Sequence, residues 1–62
     1  MMPDKLHMDK ARVMWGEMNA SERAGVRFGL FPAVKMRQAE ETACYNGKEL
    51  SQALMAVAEE AK

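Results

Sequence analysis

Tyr45-Asn46-Gly47-Lys48-Glu49-Leu50-Ser51-Gln52-Ala53-Leu54-Met55-Ala56-Val57-Ala58-Glu59-Glu60-Ala61 decides the fold class. Leu50, Ala53, Leu54, Val57, Ala58 and Ala61 recur at the i, i+3, i+4, i+7, i+8, i+11 spacing of one helical face. Glu49, Gln52, Glu59 and Lys62 face away, and Met55 is the one large apolar side chain on the outer side. The start is written twice. Asn46 and Glu49 have the spacing of a capping box, and Tyr45 and Leu50 that of a hydrophobic staple. A helix over about 47–61 follows, with a continuous apolar stripe that makes it the spine of the fold.

Working backwards, Phe31-Pro32 divides the rest. Proline fixes its own φ and pushes Phe31 out of the helical region, so one helix ends there and the next begins with Pro32 at its first position. The segment 32–43 carries a thin stripe of Ala33, Met36, Ala39 and Ala43 and reads as half exposed. The segment 20–30 opens on a capping box, Asn19 with Glu22. Its Val26 and Leu30 share one flank, Ala24, Phe28 and Phe31 another, and Gly25 and Gly29 a third. Two glycines cost a helix roughly 2 kcal/mol, so they point to close helix packing that offsets the loss. The segment 4–18 starts at an Asp4 N-cap and places His7, Ala11, Met14, Trp15 and Met18 on one face. β-Branched residues are few and scattered. The expectation is an all-α single domain, a compact array of three to four short helices (about 4–18, 20–30, 32–43 and 47–61), with Met14, Trp15, Met18, Leu50, Leu54 and Val57 in the core.

At 62 residues the gain from burial and the cost of ordering the chain nearly cancel, which favours an additional partner surface. The net charge is zero, which argues against nucleic acid or an anionic membrane as the partner. The distribution is uneven. Residues 1–37 hold 7 Lys/Arg and 4 Asp/Glu, and residues 38–62 hold 2 and 5. Either the two halves pack on each other, or two copies associate with basic facing acidic. A single cysteine, Cys44, excludes an internal disulfide and suits a reducing, cytoplasmic setting. Neither a signal peptide nor a bilayer-length apolar run is legible.

Catalytic chemistry is sparse, and no enzymatic activity or cofactor is expected. His7 and Cys44 are the only such pair, both at positions that packing and connection explain. The adjacent Glu40 and Glu41 diverge by about 100° on a helix and cannot share a proton. Asp4 and His7 have the i, i+3 spacing of helical metal ligands, but the inner faces lack the further carboxylates such centres need. An N-cap Asp followed by a surface or edge His is the expectation, and no metal site. Gly25 and Gly29 also match a membrane dimerisation motif, but Arg23 and Arg27 interrupt that helix.

The 20–43 segment has a helix-turn-helix outline. Lys35, Arg37 and Gln38 could face DNA, while Glu40 and Glu41 would repel phosphate, so nucleic acid is the alternative reading. The leading one is a non-catalytic protein-interaction or regulatory module, self-associating as a homo-oligomer or docking on a larger protein. Its contact would be Arg23, Arg27, Phe28 and Phe31, because aromatic residues beside arginine are the composition of interface hot spots.

Overall fold

The computed structural model describes residues 3–42 and 44–61. Among them the chain forms four helices and no strand: α1 (Lys5–Glu17), α2 (Ala20–Val26), α3 (Ala33–Glu41) and α4 (Gly47–Glu60). Its surface of 4139 Å² matches the roughly 4,000 Å² of a compact monomer of this mass.

Three of the four helices, α1, α2 and α4, start where a side chain serves the orphan backbone N–H groups. Asp4 caps α1 by accepting from the His7 backbone N–H at 2.9 Å. Met18 ends α1 in an extended conformation, and its N–H donates to the Trp15 carbonyl. The Asn19–Glu22 capping box is complete. Asn19 Oδ1 accepts from the Glu22 N–H at 2.8 Å, and Glu22 Oε1 accepts from the Asn19 N–H at 3.0 Å. Pro32 is the N-cap of α3 rather than its first helical residue, and it offers no side-chain cap. Asn46 Oδ1 accepts from the N–H groups of Lys48 and Glu49 at the start of α4.

The second helix ends earlier than its pattern predicts. Leu30 N–H donates to the Gly25 carbonyl, Gly29 N–H donates to the Val26 carbonyl, and Gly29 has φ +79°. This is the Schellman pattern, with Gly29 as the left-handed residue that closes the turn. A Cβ on Gly25 would lie 3.2 Å from the Leu30 carbonyl oxygen, while one on Gly29 would meet nothing within 4 Å. Both glycines belong to this one turn. The close packing expected of them is, within the chain, the approach of Leu30 to Gly25 and not a crossing of helices.

The core is built on α1 against α4, the most extensive contact in the molecule, with α2 and α3 touching α4 from the side. Met8, Ala11, Met14 and Met18 of the first segment meet Leu50, Ala53, Leu54, Val57 and Ala58 of α4. Val26 and Ala39 complete the cluster. Ala11 and Ala53 are fully buried, and their small side chains let these helices come close. Met14, Met18, Leu50, Leu54 and Val57 are buried as expected. Trp15 is the correction. It is half-buried at the margin of the cluster, because methionines and alanines fill the narrow space between α1 and α4. In α3 only Ala39 is buried, in keeping with its thin stripe. Ala43, the last member of that stripe, lies outside the described residues.

The charge asymmetry is partly met inside the chain. Arg12 of α1 lies 3.3 Å from Glu60 of α4 and joins the basic part to the acidic one, whereas Lys35 of α3 and Glu22 of α2, also 3.3 Å apart, both belong to the basic part. The Arg12–Glu60 pair is exposed and contributes little by itself.

Candidate functional site

The turn between α2 and α3, together with Val34 in the first turn of α3, forms the most apolar exposed segment of the described chain. Phe28 is 82% exposed, Leu30 69% and Val34 60%. The Schellman closure explains the first two. With the helix closed at Gly29, Phe28 and Leu30 lie in the turn instead of on the flanks of a longer α2. Phe31 turns back and packs against the core while remaining partly open. The turn is held by three backbone hydrogen bonds, from Phe28, Gly29 and Leu30, each 2.9 Å. Its apolar side chains are thus displayed on a fixed backbone.

The two arginines both meet Trp15. Arg23 Nε donates to the Trp15 carbonyl at 3.0 Å. The guanidinium carbons of Arg23 and Arg27 lie 5.5 and 5.9 Å from the Trp15 ring centroid. Both are within cation–π range, so they cover the tryptophan that the core does not enclose. Arg27 also forms one wall of a groove of about 180 Å³, whose other walls are Met55, Ala58 and Glu59 of α4. Of the four residues expected at a contact, Phe28 is fully presented and Phe31 partly. Arg23 and Arg27 are tied to Trp15. Leu30 and Val34 were not among them: Leu30 was placed with Val26 on one flank of a longer α2, and Val34 lies outside the stripe of α3.

A second constellation surrounds His7, which is 4% exposed rather than at the surface. Its Nε2 lies 2.9 Å from the Asn46 backbone nitrogen. A backbone N–H can only donate, so Nε2 carries the lone pair and Nδ1 carries the proton. Nδ1 in turn lies 2.7 Å from Asp4 Oδ1 and 3.3 Å from Glu49 Oε2. The Tyr45 ring meets the imidazole edge-on at 5.8 Å, and Lys10 Nζ lies 5.5 Å from the Tyr45 centroid. The hydrogen bonds from the His7 backbone and then its ring hold the Asp4 carboxyl below its ordinary pKa.

The capping box expected at Asn46 and Glu49 is therefore half formed. His7 accepts the N–H that the Glu49 carboxylate would have taken, and that carboxylate turns toward Nδ1 instead. One imidazole joins the N-terminal caps of α1 and α4. Asp4, His7 and Glu49 do offer one ligand atom each within 4.8 Å of one another. A cation at Nδ1 would need that nitrogen's lone pair while Nε2 still faces an N–H donor, which a neutral imidazole cannot provide. The donor set suits a helix junction better than a metal centre.

Cys44 is exposed, with its Sγ 3.2 Å from Thr42 Oγ1, while both ring nitrogens of His7 are engaged by Asp4 and Asn46. Among the described residues no buried side-chain nitrogen or oxygen lacks a partner, and no helix is long and apolar enough to cross a membrane. The connection between α2 and α3, six residues from Arg27 to Pro32, is longer than the three or four of a helix-turn-helix. Neither a family model, nor a curated protein, nor a solved structure matches this chain.

Proposed function

We propose that this chain is a non-catalytic protein-interaction module whose contact surface is the α2–α3 turn. The observation that carries this reading is Phe28, 82% exposed on a turn whose backbone is fixed by the Gly29 closure. A phenyl ring in water is costly, at about 25 cal/mol per Å² of apolar surface. Leu30 and Val34 extend the apolar surface on either side. The rigid backbone lowers the ordering cost of binding, and aromatic anchors dominate interface energies. Neutral net charge favours a protein partner over a polyanion. Lys35, a candidate phosphate contact under the DNA reading, is paired with Glu22, which leaves that alternative with less support.

The test is comparative affinity capture with the wild type and a Phe28→Ser, Leu30→Ser variant of matched thermal stability. The expected result is a protein retained by the first and lost with the second. Equal retention by both, or retention by neither, would contradict the assignment of the contact to this turn.

A further inference from the structure

The backbone step that receives the His7 hydrogen bond is Asn46-Gly47, and we infer that it is a modification site: Asn46 deamidates through a cyclic imide when the junction between α1 and α4 opens, and is protected while the junction is closed. This site is independent of the α2–α3 turn and of the interaction role assigned to it.

The chain has two asparagines, and both cap helices. Asn19 precedes Ala20, whereas Asn46 precedes Gly47. A following glycine presents no Cβ against the approach of its backbone nitrogen to the asparagine side chain. In the reaction the Gly47 nitrogen gives up its proton to solvent base and bonds to Asn46 Cγ. The Cγ–Nδ2 bond breaks, and Nδ2 takes up a proton and leaves as ammonia. Asn46 is exposed, so water reaches the five-membered imide. Attack at Cγ leaves aspartate. Attack at the backbone carbonyl carbon leaves isoaspartate, with the main chain running through Cγ.

Three constraints hold the reacting atoms apart in the folded chain. Ring closure requires the Gly47 nitrogen to eclipse the Asn46 Cβ about the Cα–C bond, and a ψ of 127° places it elsewhere. Asn46 Oδ1 accepts from the Lys48 and Glu49 N–H groups at 2.9 and 3.2 Å, which fixes the side-chain amide over the first turn of α4. The Asn46 N–H donates to His7 Nε2 at 2.9 Å. That ring is buried, tied to Asp4 and packed edge-on against Tyr45. The first two constraints are local to the cap, and the third ties residue 46 to α1. The Glu40 carboxyl also lies over the Cα of Gly47, where its charge opposes loss of the neighbouring amide proton. Rotating ψ therefore needs the start of α4 to leave the junction, a local opening that stops short of unfolding the core.

The product does not restore the junction. Isoaspartate adds a methylene to the main chain, so its N–H and carboxyl no longer reach His7 and the first turn of α4 together. A chain that has opened for long is marked at this position.

The experiment incubates the full chain at mildly alkaline pH, folded and in urea, and follows each asparagine by peptide-mapping mass spectrometry with isoaspartate quantification. Deamidation of folded wild type at Asn46 should be at least about tenfold slower than in urea. His7→Ala should raise the folded rate at least about fivefold, and His7→Gln, which keeps an acceptor for the Asn46 N–H, by less. Gly29→Ala, which weakens the fold away from the junction, should stay within about twofold of wild type. Native-state hydrogen exchange needs no variant: the Lys48 and Glu49 amides should open more readily than that of Leu54 in the core. The isolated isoaspartyl chain should melt below the unmodified one. Equal rates in the folded chain and in urea, or no acceleration by His7→Ala, would overturn the protection. Equal acceleration by Gly29→Ala, or equal exchange at Glu49 and Leu54, would assign the reaction to global unfolding and overturn the local gate.

Discussion

Replacing His7 with alanine tests the junction between the two helix N-termini. In the wild type the ring accepts from the Asn46 N–H at 2.9 Å and donates to Asp4 at 2.7 Å. Leaving a donor unpaired costs about 1–3 kcal/mol, and losing an edge-to-face ring pair costs about 0.5–1.5 kcal/mol. Water entering the vacated space would serve the Asn46 N–H in part. The expected loss is therefore about 2 kcal/mol rather than the upper sum. That is a large share of the roughly 3–9 kcal/mol typical of a chain this long, and it lowers the melting temperature by on the order of 10 °C. Thermal and urea unfolding followed by helix circular dichroism would measure it. His7→Gln, whose amide can both accept and donate, should recover at least half of the loss. Long-range proton–nitrogen NMR on the wild type should find the imidazole proton on Nδ1. A His7→Ala cost below about 0.5 kcal/mol, the ordinary range for surface changes, would refute the junction, as would a proton on Nε2.

Two further outcomes follow from the fold. Gly29→Ala places a Cβ on a residue with φ +79°, so it should cost about 1–2 kcal/mol in urea unfolding even though nothing touches the new methyl. Acid should unfold the chain through Asp4 and Glu22. The Asp4 carboxyl is lowered first by the backbone hydrogen bond from His7, and that of Glu22 first by the one from Asn19. Their stabilisation is complete above the ordinary carboxyl range, near pH 4, and is lost as pH falls through the lower native values. Asp4→Asn and Glu22→Gln should each flatten the acid limb of stability against pH, modestly, because both groups face solvent.

The helices were legible in the sequence because their signals are local. Asp4, Asn19 and Asn46 each act within three residues, and the stripe of α4 is continuous enough to name five of its buried positions. What lay beyond local reading had partners far along the chain or depended on which faces find cover. His7 was visible on the inner face of α1, but its acceptor role involves Asn46, 39 residues away. Periodicity placed Trp15 on the same face as Met14 and Met18. It could not show that α4 approaches too closely for an indole, or that Arg23 and Arg27 would cover the ring instead. Gly25 and Gly29 share a face at helical spacing, and also have the spacing of the first and fifth residues of a Schellman turn. The sequence pattern does not separate these readings, and choosing the first extended α2 by four residues. That error grouped Leu30 with the buried Val26 and left its exposure unread, although Phe28 had been named. The packing of Arg23 and Arg27 on Trp15 was likewise beyond composition, which placed aromatic residues beside arginine without saying which ring each would meet.

The surface role of Phe28 is most directly tested by placing a photoreactive benzoylphenylalanine at position 28 and irradiating the chain in its native cells. A discrete covalent adduct heavier than the 7.0 kDa chain is the expected result. A chain that stays entirely uncrosslinked at position 28, while the same group reports a control contact, would contradict the assignment of the α2–α3 turn as an interaction surface.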